Sequence, residues 1–580
     1  MNRTPTYQPT VKDLGPRDDW SALEKDLWKE CRLGRIAVLA GKEDLPEDCE
    51  DPDRRVRATF IRYLMWGGSE EEGGTRPHPK GVWIRGAWIE GKLDLEACVA
   101  SIDLTLEKCR LPEAVTLHDA QVGGLYLPGC HGAKGLDLHR LTTIRDVHLR
   151  GGFQSDGPVD LGGAQIGGQL GCDGGAFKAT EGRALNCDAA EVGASVFLSD
   201  GFEALGEVNL MRARIGGQLA CEDGAFKATK GLALSCQAAE IGADVLLRGT
   251  FSATQLVDFT RAVVVGNLMV VPQRGEAPTL EEGIALAGAR IGGGFFWKSV
   301  TGARRAVDLT EAKVGSLRDD WAAWDRVGEL KLDGFHYDRV EGSMSVTDRL
   351  AWLGRACEAM DRPVEVGPGF DPQPHVQLAS VLRAQGNREG AARVLVDREK
   401  RQRAAERARV WARNTSPQGL LAWLTCAWLR VWDLVFGLVF GYGHKPVRAL
   451  LASLFLIVIA AGLNCAAYHN GQFAPNSDVV LTSDDWLGAV AEAGDAGFPL
   501  VAWLQSPAAQ DYETFNAMLY GLDLFLPLDA LGQEEAWRAT TGRGALGEVA
   551  FYSRWFFQIA GIVIAAMGAA VLTGVVGRRD

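Results

Sequence analysis

The feature that most constrains this chain is a 49-residue repeat in its first half. VDLGGAQIGGQL begins at Val159, VNLMRARIGGQL at Val208 and VDFTRAVVVGNL at Val257, so the step is the same twice. A second motif lies between these copies, with ALNCDAAEVGASVFL from Ala184 and ALSCQAAEIGADVLL from Ala233. Each repeat therefore contains two half-units of about 24–25 residues, and a period in this range predicts a solenoid or a propeller.

Each half-unit alternates apolar and polar residues and then reaches Ile or Val followed by glycine. This alternation predicts short strands, and the glycines predict turns between them. The pattern favours one coil of a β-solenoid for each half-unit, with two or three strands of about three to five residues. A helical solenoid is disfavoured because no half-unit holds an uninterrupted helical period, and propeller blades would need four longer strands. Stacking would place Ile166 over Ile215 and Cys172 over Cys221 in a dry interior.

These repeats resemble those of pentapeptide-like and related bacterial β-helix proteins, although the strict five-residue cadence is missing. We predict a looser β-helix repeat domain, with its C-terminal edge, over residues 80–345. An open first coil would pair with other chains, so residues 1–79 are predicted to form a helical cap. Its helices are expected over Trp20–Arg32 and Arg54–Trp66.

Residues 346–415 are predicted to be helical, beginning with Val346–Ala359. Two helices separated at Gly386–Asn387 then resemble a tetratricopeptide-like hairpin, which cannot bury its own core and must pack on a neighbour. The next helix is basic and is expected either to meet anionic lipids or to be a solvated face. Its basic residues are Arg398, Lys400, Arg401, Arg403, Arg407, Arg409 and Arg413.

Two apolar segments predict a membrane domain over residues 446–580. About 20 apolar residues cross a ~30 Å hydrocarbon layer, and residues 447–468 and 555–576 both reach that length. Small residues at spacings of four in both helices, as at Gly561, predict close helix packing and favour a homo-oligomer.

Charge predicts the orientation of this domain. Residues 416–445 carry Arg430 and Asp433 among apolar side chains, which favours an interfacial amphipathic helix over a third span. The loop 469–554 is acidic, and residues 469–550 hold twelve Asp and Glu against two Arg. The positive-inside rule places this loop outside and both termini in the cytosol, so we predict a multi-pass protein of the inner (cytoplasmic) membrane.

One stretch of the acidic loop, residues 512–531, resembles a functional signature. The order of spanning helix, re-entrant segment and spanning helix is the layout of two-helix tetrameric cation channels, and this resemblance implies a gated pore. We favour the alternative, an amphipathic helix that lies on the bilayer surface. The residues that a pore would use are Asp523, Tyr520, Pro527, Asp529 and Gln533.

We predict no catalytic residue, cofactor or metal site. The chain has no Walker loop, nucleophile elbow, HExxH or CxxC motif. Its twelve cysteines are interpreted as buried apolar residues, with metal ligands or redox thiols as the alternative. Four histidines in consecutive coils share a face either by coincidence or as a metal site: His118, His131, His139 and His148. The net charge of −13 argues against a nucleic-acid partner.

The order of parts resembles a group of bacterial membrane proteins often labelled "membrane-associated oxidoreductase". The resemblance rests on the repeats and on LASVLRAQG, GYGHKPVRAL, LYGLDLFLPLDALGQ and the terminal LTGVVGRRD. It implies membrane location and, by its label alone, redox activity, but it brings no catalytic residues. Three hypotheses follow. The first is a non-enzymatic cytosolic scaffold for a protein partner, anchored in the lipid bilayer. The others are a gated pore and an oxidoreductase.

Overall fold

The computed structural model describes residues 20–39, 44–47, 51–67, 78–360, 370–413, 446–494, 497–526 and 531–572, with isolated positions at 427, 430, 437 and 439. The chain divides into two compact units, Met1–Val394 and Leu395–Asp580. Each unit is described by itself below.

The first unit contains a parallel β-solenoid of about eleven coils. A regular coil has four strands, most of them two residues long, and each strand pairs with its equivalent in the next coil. The prediction of two or three longer strands per coil is wrong. The apolar alternation continues through the turns, so the sequence pattern overstates the length of the paired segments.

The strands form four columns that run through the coils. The first column contains Gln121–Val122, Thr142–Thr143, Gln165–Ile166, Glu191–Val192, Arg214–Ile215, Glu240–Ile241 and Val263–Val264. The second contains Ala37–Val38, Val82–Arg85, Leu104–Glu107, Leu125–Tyr126, Val147–His148, Leu170–Gly171, Val196–Phe197, Leu219–Ala220, Val245–Arg248 and Leu268–Val271. Three long strands then belong to both columns: Arg290–Trp297, Lys313–Asp319 and His336–Gly342.

The third and fourth columns lie in the other sheet. The third contains Arg55–Arg57, Trp88–Glu90, Arg110–Leu111, His131–Gly132, Gln154–Ser155, Ala225–Phe226, Ser252–Ala253, Thr279–Leu280 and Thr301–Gly302. The fourth contains Leu93–Asp94, Val115–Thr116, Leu136–Asp137, Val159–Asp160, Leu232–Ser235, Leu256–Asp258, Gly283–Ala285, Ala306–Asp308 and Glu329–Lys331. Ala176–Asn186 and Glu203–Asn209 belong to both. Such shared strands join the columns into two 20-stranded sheets.

The turn from the fourth column to the first explains much of the repeat motif. Asp160 ends a strand, and its Oδ1 accepts the backbone N–H of Gly162 at 2.9 Å. The next residue, Gly163, has φ +64°, in the left-handed region that glycine adopts without strain. Arg140 and Arg212 occupy the same position in other coils at φ 54° and 57°. The side-chain hydrogen bond before this position therefore supports a conformation that non-glycine residues adopt rarely.

The interior is a set of apolar ladders. Ile166, Val192 and Ile215 are in register in successive coils, so the identical isoleucines lie two coils apart with a valine between them. Phenylalanines at the half-unit period form a continuous stack in which neighbouring ring centroids are 5.2–5.4 Å apart. This stack consists of Phe153, Phe177, Phe202, Phe226 and Phe251, all fully buried. Stacked rings of this size supply a large share of the buried apolar area.

The N-terminal segment covers the first coil. Helices α1 (Ala22–Leu33) and α2 (Ala58–Met65) form as predicted, but α2 begins at Ala58 rather than Arg54. Arg55–Arg57 is instead a strand that pairs with Trp88–Glu90, because the first regular coil needs a partner for its open edge.

α3 (Trp321–Trp324) lies before the last two solenoid strands, and three helices follow those strands: α4 (Val346–Met360), α5 (Gln373–Ala384) and α6 (Arg388–Arg413). Gln373, Gln377 and Gln385 donate side-chain N–H groups to the carbonyls of Phe335, Tyr337 and Val340 at 2.7–3.2 Å. These carbonyls lie in or beside the last strand. The first helix of the predicted hairpin, α5, therefore packs on a neighbour, and that neighbour is the end of the solenoid.

The second unit is built on two long apolar helices, α7 (Pro446–His469) and α14 (Ala545–Leu572). Between them lie α8 (Asp478–Leu481), α9 (Asp484–Ala493), α10 (Pro499–Trp503), α11 (Pro507–Gln510), α12 (Ala517–Phe525) and α13 (Gln533–Ala536). Phe473–Pro475 and Trp537–Ala539 form an antiparallel pair. The predicted interfacial helix 416–445 lies outside the described residues, apart from the four isolated positions.

α14 begins well before residue 555, where the apolar run starts. The Oε1 atom of Gln472 accepts the N–H of Gly547 in the first turn of the helix. The first three turns contain Glu548 and Arg554, and the predicted span of residues 555–576 leaves these turns out.

Candidate functional site

A trough of about 790 Å³ runs along the first strand column of the solenoid. Its floor contains one glycine from each of four successive coils: Gly167, Gly193, Gly216 and Gly242. In the same column Ile144 precedes these glycines and Val265 follows them, with 67% and 65% of their surfaces exposed. At ~4.8 Å per coil, the distance from Ile144 to Val265 is ~24 Å. We call this depression the glycine trough.

At these four positions the coils stack too closely to admit a side chain. A Cβ atom on Gly216 would lie 2.3 Å from the carbonyl oxygen of Gly193, and one on Gly242 would lie 2.2 Å from that of Gly216. Their N–H groups are used within the ladder, as in the 2.8 Å bond from Gly216 to the oxygen of Val192. The IGG motif is thus confirmed as a coil corner, and it leaves a floor of bare backbone.

Charged side chains form one wall of the glycine trough. Arg214 lies between Glu191 and Glu240, with nitrogen–oxygen distances of 2.9 and 3.7 Å. All three side chains are at least half exposed, so this network contributes little to stability. One arginine between two carboxylates leaves one negative charge at the middle of the wall.

A smaller cleft of about 400 Å³ on the fourth column contains His118 and His139. Their rings stack with centroids 5.2 Å apart, and Nε2 of His118 lies 2.9 Å from Nη2 of Arg140. His131 instead pairs with Asp156 in the third column, and His148 lies in the second column. The four histidines therefore do not share a face. Within the described ranges, no group of three or more His, Cys, Asp or Glu side chains is arranged to hold a metal ion.

The buried cysteines are packed as apolar side chains. Eight are buried in the first unit: Cys31, Cys98, Cys109, Cys130, Cys172, Cys187, Cys221 and Cys236. Burial raises the pKa of the Cys31 thiol to about 11 and that of Cys98 to about 12. Reactive cysteines need a lowered pKa, so these two are poor nucleophiles. The interpretation of the cysteines as buried apolar residues is confirmed for these eight.

In the second unit, α12 packs against both apolar helices. A Cβ on Gly521 would lie 2.8 Å from the backbone nitrogen of Ala461 and 2.9 Å from the oxygen of Ile457 in α7. A Cβ on Gly561 of α14 would lie within van der Waals overlap of the Phe525 carbonyl. Glycine thus permits backbone contact on both sides of α12, and the predicted small-residue position Gly561 contacts the end of α12.

The chain reverses direction after α12. The Oδ1 atom of Asp523 accepts the N–H of Leu531 at 3.3 Å, and its Oδ2 atom accepts that of Glu534 at 2.9 Å. One carboxylate, which is 3% exposed, therefore joins α12 to residues 531–536. We call residues 517–526 and 531–536 the hairpin.

Other predicted pore residues hold the same region together. Gln533 is buried, donates to Glu513 Oε1 at 2.7 Å and accepts the N–H of Asn516 at 2.9 Å. Tyr520 is buried and packs against Phe473 with ring centroids 5.5 Å apart. Pro527 and Asp529 lie outside the described residues. The structure therefore brings Asp523, Gln533 and Tyr520 together in the packed part of the unit.

The predicted basic residues lie on α6, where several pair with acidic neighbours. Arg401 contacts Asp397 at 2.7 Å, and Arg398 and Arg403 both contact Glu399. Lys400 is exposed. The side chains of Arg407, Arg409 and Arg413 lie outside the described part of the helix. The pairing reduces the positive charge that this face offers to lipids.

Comparison with known proteins identifies no relative: no family model, no curated protein and no solved structure matches the chain. α7 and α14 are long and apolar enough to cross a membrane, and only 17% of the apolar stretch of each is buried.

The trough was not predicted from the sequence. The glycine that follows Ile or Val at the same place in successive half-units was the signal that could have located it.

Proposed function

We propose that the protein is a membrane-anchored scaffold without catalysis of its own, whose glycine trough binds an extended segment of a partner protein. The observation that carries this proposal is the trough: a bare backbone floor bounded by two exposed apolar residues. A length of ~24 Å accommodates about seven residues of extended chain at ~3.3 Å each.

The walls and ends of the glycine trough define the chemistry of the partner. Glu191 and Glu240 share Arg214, so a lysine or arginine near the middle of the bound segment is favoured. Ile144 and Val265 favour apolar residues near its two ends. The expected partner is therefore an extended segment with a central basic residue and apolar flanks.

Exposure of the two long helices supports the anchoring part of the proposal. The exposed side chains include Leu450, Leu454 and Phe455 on α7, and Phe556 and Ile559 on α14. A core helix of a soluble protein would bury such residues, whereas a lipid environment accommodates them. The expected topology has both termini in the cytosol of an inner-membrane protein.

Selection of random extended peptides on the full-length protein in nanodiscs tests partner binding. Enriched peptides should carry the predicted central basic residue, and a Glu191→Lys, Glu240→Lys double variant should reduce their binding at least tenfold. Val265→Arg should also weaken binding, while Val99→Arg is the matched control, because Val99 is also exposed and bridges to the first column outside the trough. Peptides that bind all variants equally would refute the proposal.

Topology has a separate test. In a membrane-impermeant thiol-labelling experiment on whole cells, a cysteine replacing Ser506 should react and one replacing Ser380 should not. The reverse pattern would contradict the predicted orientation, and carbonate extraction of the chain from membranes would contradict anchoring itself.

A gated pore is the second candidate, and the hairpin favours it. α12 packs against both apolar helices before the chain returns, which agrees better with a re-entrant path than with a helix lying on the surface. Purified, assembled protein should then conduct ions in planar bilayers, and silent bilayers would remove this candidate. Redox activity stays a prediction of the resemblance alone, and absorbance spectra of the purified protein test it.

A further inference from the structure

We propose that Arg554, in the third turn of α14, binds the phosphate of a lipid headgroup. The lipid would lie in the leaflet next to the connecting helices α8–α13. The inference rests on the anchoring part of the proposed function and adds to it an anionic ligand. It also implies the level at which the membrane surface crosses the second unit.

The guanidinium of Arg554 lies against two aromatic rings. Its Cζ atom is 5.0 Å from the ring centroid of Phe551 and 5.1 Å from that of Trp555, close enough for cation–π attraction. Its Nε atom is buried without a hydrogen-bond acceptor, and no Asp or Glu of the described ranges forms an ion pair with it. The carboxylate of Glu534 accepts the side-chain amide of Gln558 at 2.7 Å. The partly exposed Arg554 can therefore pair with an anion from outside the chain.

The exposed surface of α14 changes its character at the level of Arg554. Toward the start of the helix the exposed side chains include Glu548. Beside Arg554, Tyr552 is 61% and Trp555 45% exposed, and one turn further along Ile559 is 62% exposed. Exposed Tyr and Trp side chains are typical of the boundary between lipid headgroups and hydrocarbon. Arg554 is thus at the level where lipid phosphates are expected.

The packing of α12 agrees with this level. Gly547, seven residues before Arg554, is bound by Gln472 just beyond the end of α7. Gly561, seven residues after Arg554, meets the carbonyl of Phe525 at the end of α12. At ~1.5 Å per residue, the end of α12 lies ~10 Å deeper than Arg554. This is less than half of a ~30 Å hydrocarbon layer, so α12 would enter one leaflet and stop there.

The chemistry of the site favours a phosphate that belongs to a lipid. A guanidinium presents a flat set of N–H donors that matches two oxygens of a phosphate. Next to hydrocarbon, a long arginine side chain places its charge in the headgroup layer, where such oxygens are concentrated. The acyl chains of the same lipid would contact Phe556 and Ile559, which are 60% and 62% exposed. Free phosphate has no counterpart to that apolar contact.

Lipid retention by the full-length protein tests the site. The purified protein is supplied with phosphatidylglycerol in detergent and measured by native mass spectrometry. Wild-type protein should retain one more lipid than Arg554→Gln, and Arg554→Lys should retain it at lower occupancy, because an ammonium keeps the charge but not the flat set of donors. Arg538→Gln is the matched control, because Arg538 is exposed in Trp537–Ala539 and the change in charge is the same. Equal retention by wild type and Arg554→Gln would overturn the proposal.

Two other ligands test the phosphate and its source. Diacylglycerol has the same acyl chains but no phosphate, so wild type and Arg554→Gln should retain it equally. A loss of diacylglycerol from Arg554→Gln would show that the site recognises acyl chains alone, against the proposal. An excess of inorganic phosphate should leave the bound phosphatidylglycerol in place. Displacement would assign the site to free phosphate instead of a lipid.

Depth measurements on the protein in lipid vesicles separate this proposal from anchoring. A nitroxide amino acid replacing Tyr552 should be relaxed by a water-soluble nickel complex. One replacing Ile559, ~10 Å further along the helix, should be relaxed mainly by oxygen, which concentrates in hydrocarbon. If both nitroxides respond as in hydrocarbon, Arg554 lies too deep for a phosphate, and anchoring stands. If both respond to the nickel complex, anchoring itself is wrong, so the two failures are distinguishable.

Discussion

The two units satisfy their backbone polar groups in different ways. In the solenoid each coil bonds to the next, so the same hydrogen bond recurs from one coil to another, as between Gly193 and Ile166 and between Gly242 and Ile215. In the second unit, long helices satisfy their own backbone, and the irregular hairpin depends on single side chains such as Asp523 and Gln533. Repetition therefore distributes stability over many equivalent contacts, whereas the second unit concentrates it in a few.

The largest expected effect tests the dry interior of the solenoid. Ile215→Asp places an unpaired charge where the native side chain is 2% exposed, and we expect more than about 4 kcal/mol of destabilisation. Thermal unfolding of the purified chain should show loss of the solenoid transition. Arg214→Ala is the control, because the neighbouring side chain points outward and should change stability by less than about 0.5 kcal/mol. A native-like melting curve for Ile215→Asp would contradict the coil alignment.

The next effect tests whether one side chain holds the hairpin. Asp523→Ala removes an acceptor of two backbone N–H groups, and we expect about 2–4 kcal/mol of local destabilisation. Hydrogen exchange of Leu531 and Glu534 should accelerate while the solenoid amides stay protected. Exchange that is unchanged at both amides would show that the hairpin does not depend on this carboxylate.

Asp523→Asn then tests the charge of this side chain separately from its shape. The amide keeps one acceptor oxygen and turns the other atom into a donor that faces an N–H group. We expect an intermediate acceleration of exchange at the same two amides. If the protein conducts ions, loss of conductance with native exchange rates would favour a charged pore. Loss of conductance together with faster exchange would indicate a structural role.

Two adjacent glycines give a sharper comparison within the solenoid. Gly216→Ala would force a Cβ against a backbone carbonyl, and overpacking of this kind costs about 1–3 kcal/mol. Gly217→Ala should cost less, because Ala194 and Ala243 hold the equivalent position in neighbouring coils. The difference in melting temperature between the two variants is the measurement. Equal melting temperatures would show that the coils relax to admit a side chain at either position.

Much of the solenoid could be predicted from the sequence because the same residue pattern recurs in successive coils. The 49-residue step identified the coils and the glycine corners, and hydropathy identified α7 and α14. Four short strands per coil were missed because alternation does not stop at the turns. The Phe153–Phe251 stack also follows a spacing of 24 or 25 residues in the sequence, although it was not predicted.

The contacts of single residues could not be predicted in the same way. Asp523 was singled out as a charge among apolar neighbours, but its two N–H partners lie eight and eleven residues further along the chain. No local pattern encodes such a pairing. Gln373, Gln377 and Gln385 likewise cover the last strand through contacts with residues about forty positions earlier. Without repetition, tertiary contacts have no signature in one sequence.

The smallest expected effect concerns His148, a polar residue of the solenoid, in which most other contacts recur from coil to coil. Burial lowers the pKa of its imidazole, and Arg150 lowers it further. In the neutral form its Nε2 atom lies 2.9 Å from Nε2 of Gln169, and its ring packs against Tyr126 at 5.1 Å. Because the folded pKa is below the unfolded value of about 6.5, the unfolded state binds more protons on acidification. Stability is therefore complete above pH ~6.5 and declines as the pH falls below it.

We expect this decline to lower the melting temperature of the solenoid by about 1–2 °C between pH 7.5 and 5.5, beyond the change that other groups cause. His148→Gln removes the titrating group, so the variant should show a smaller decrease over the same pH range. His131→Gln is the control, because that histidine lies in a different column and pairs with Asp156. Since one coil contributes little to a stack of eleven, a decrease of more than several degrees from His148 alone would contradict the distributed stability inferred for the solenoid.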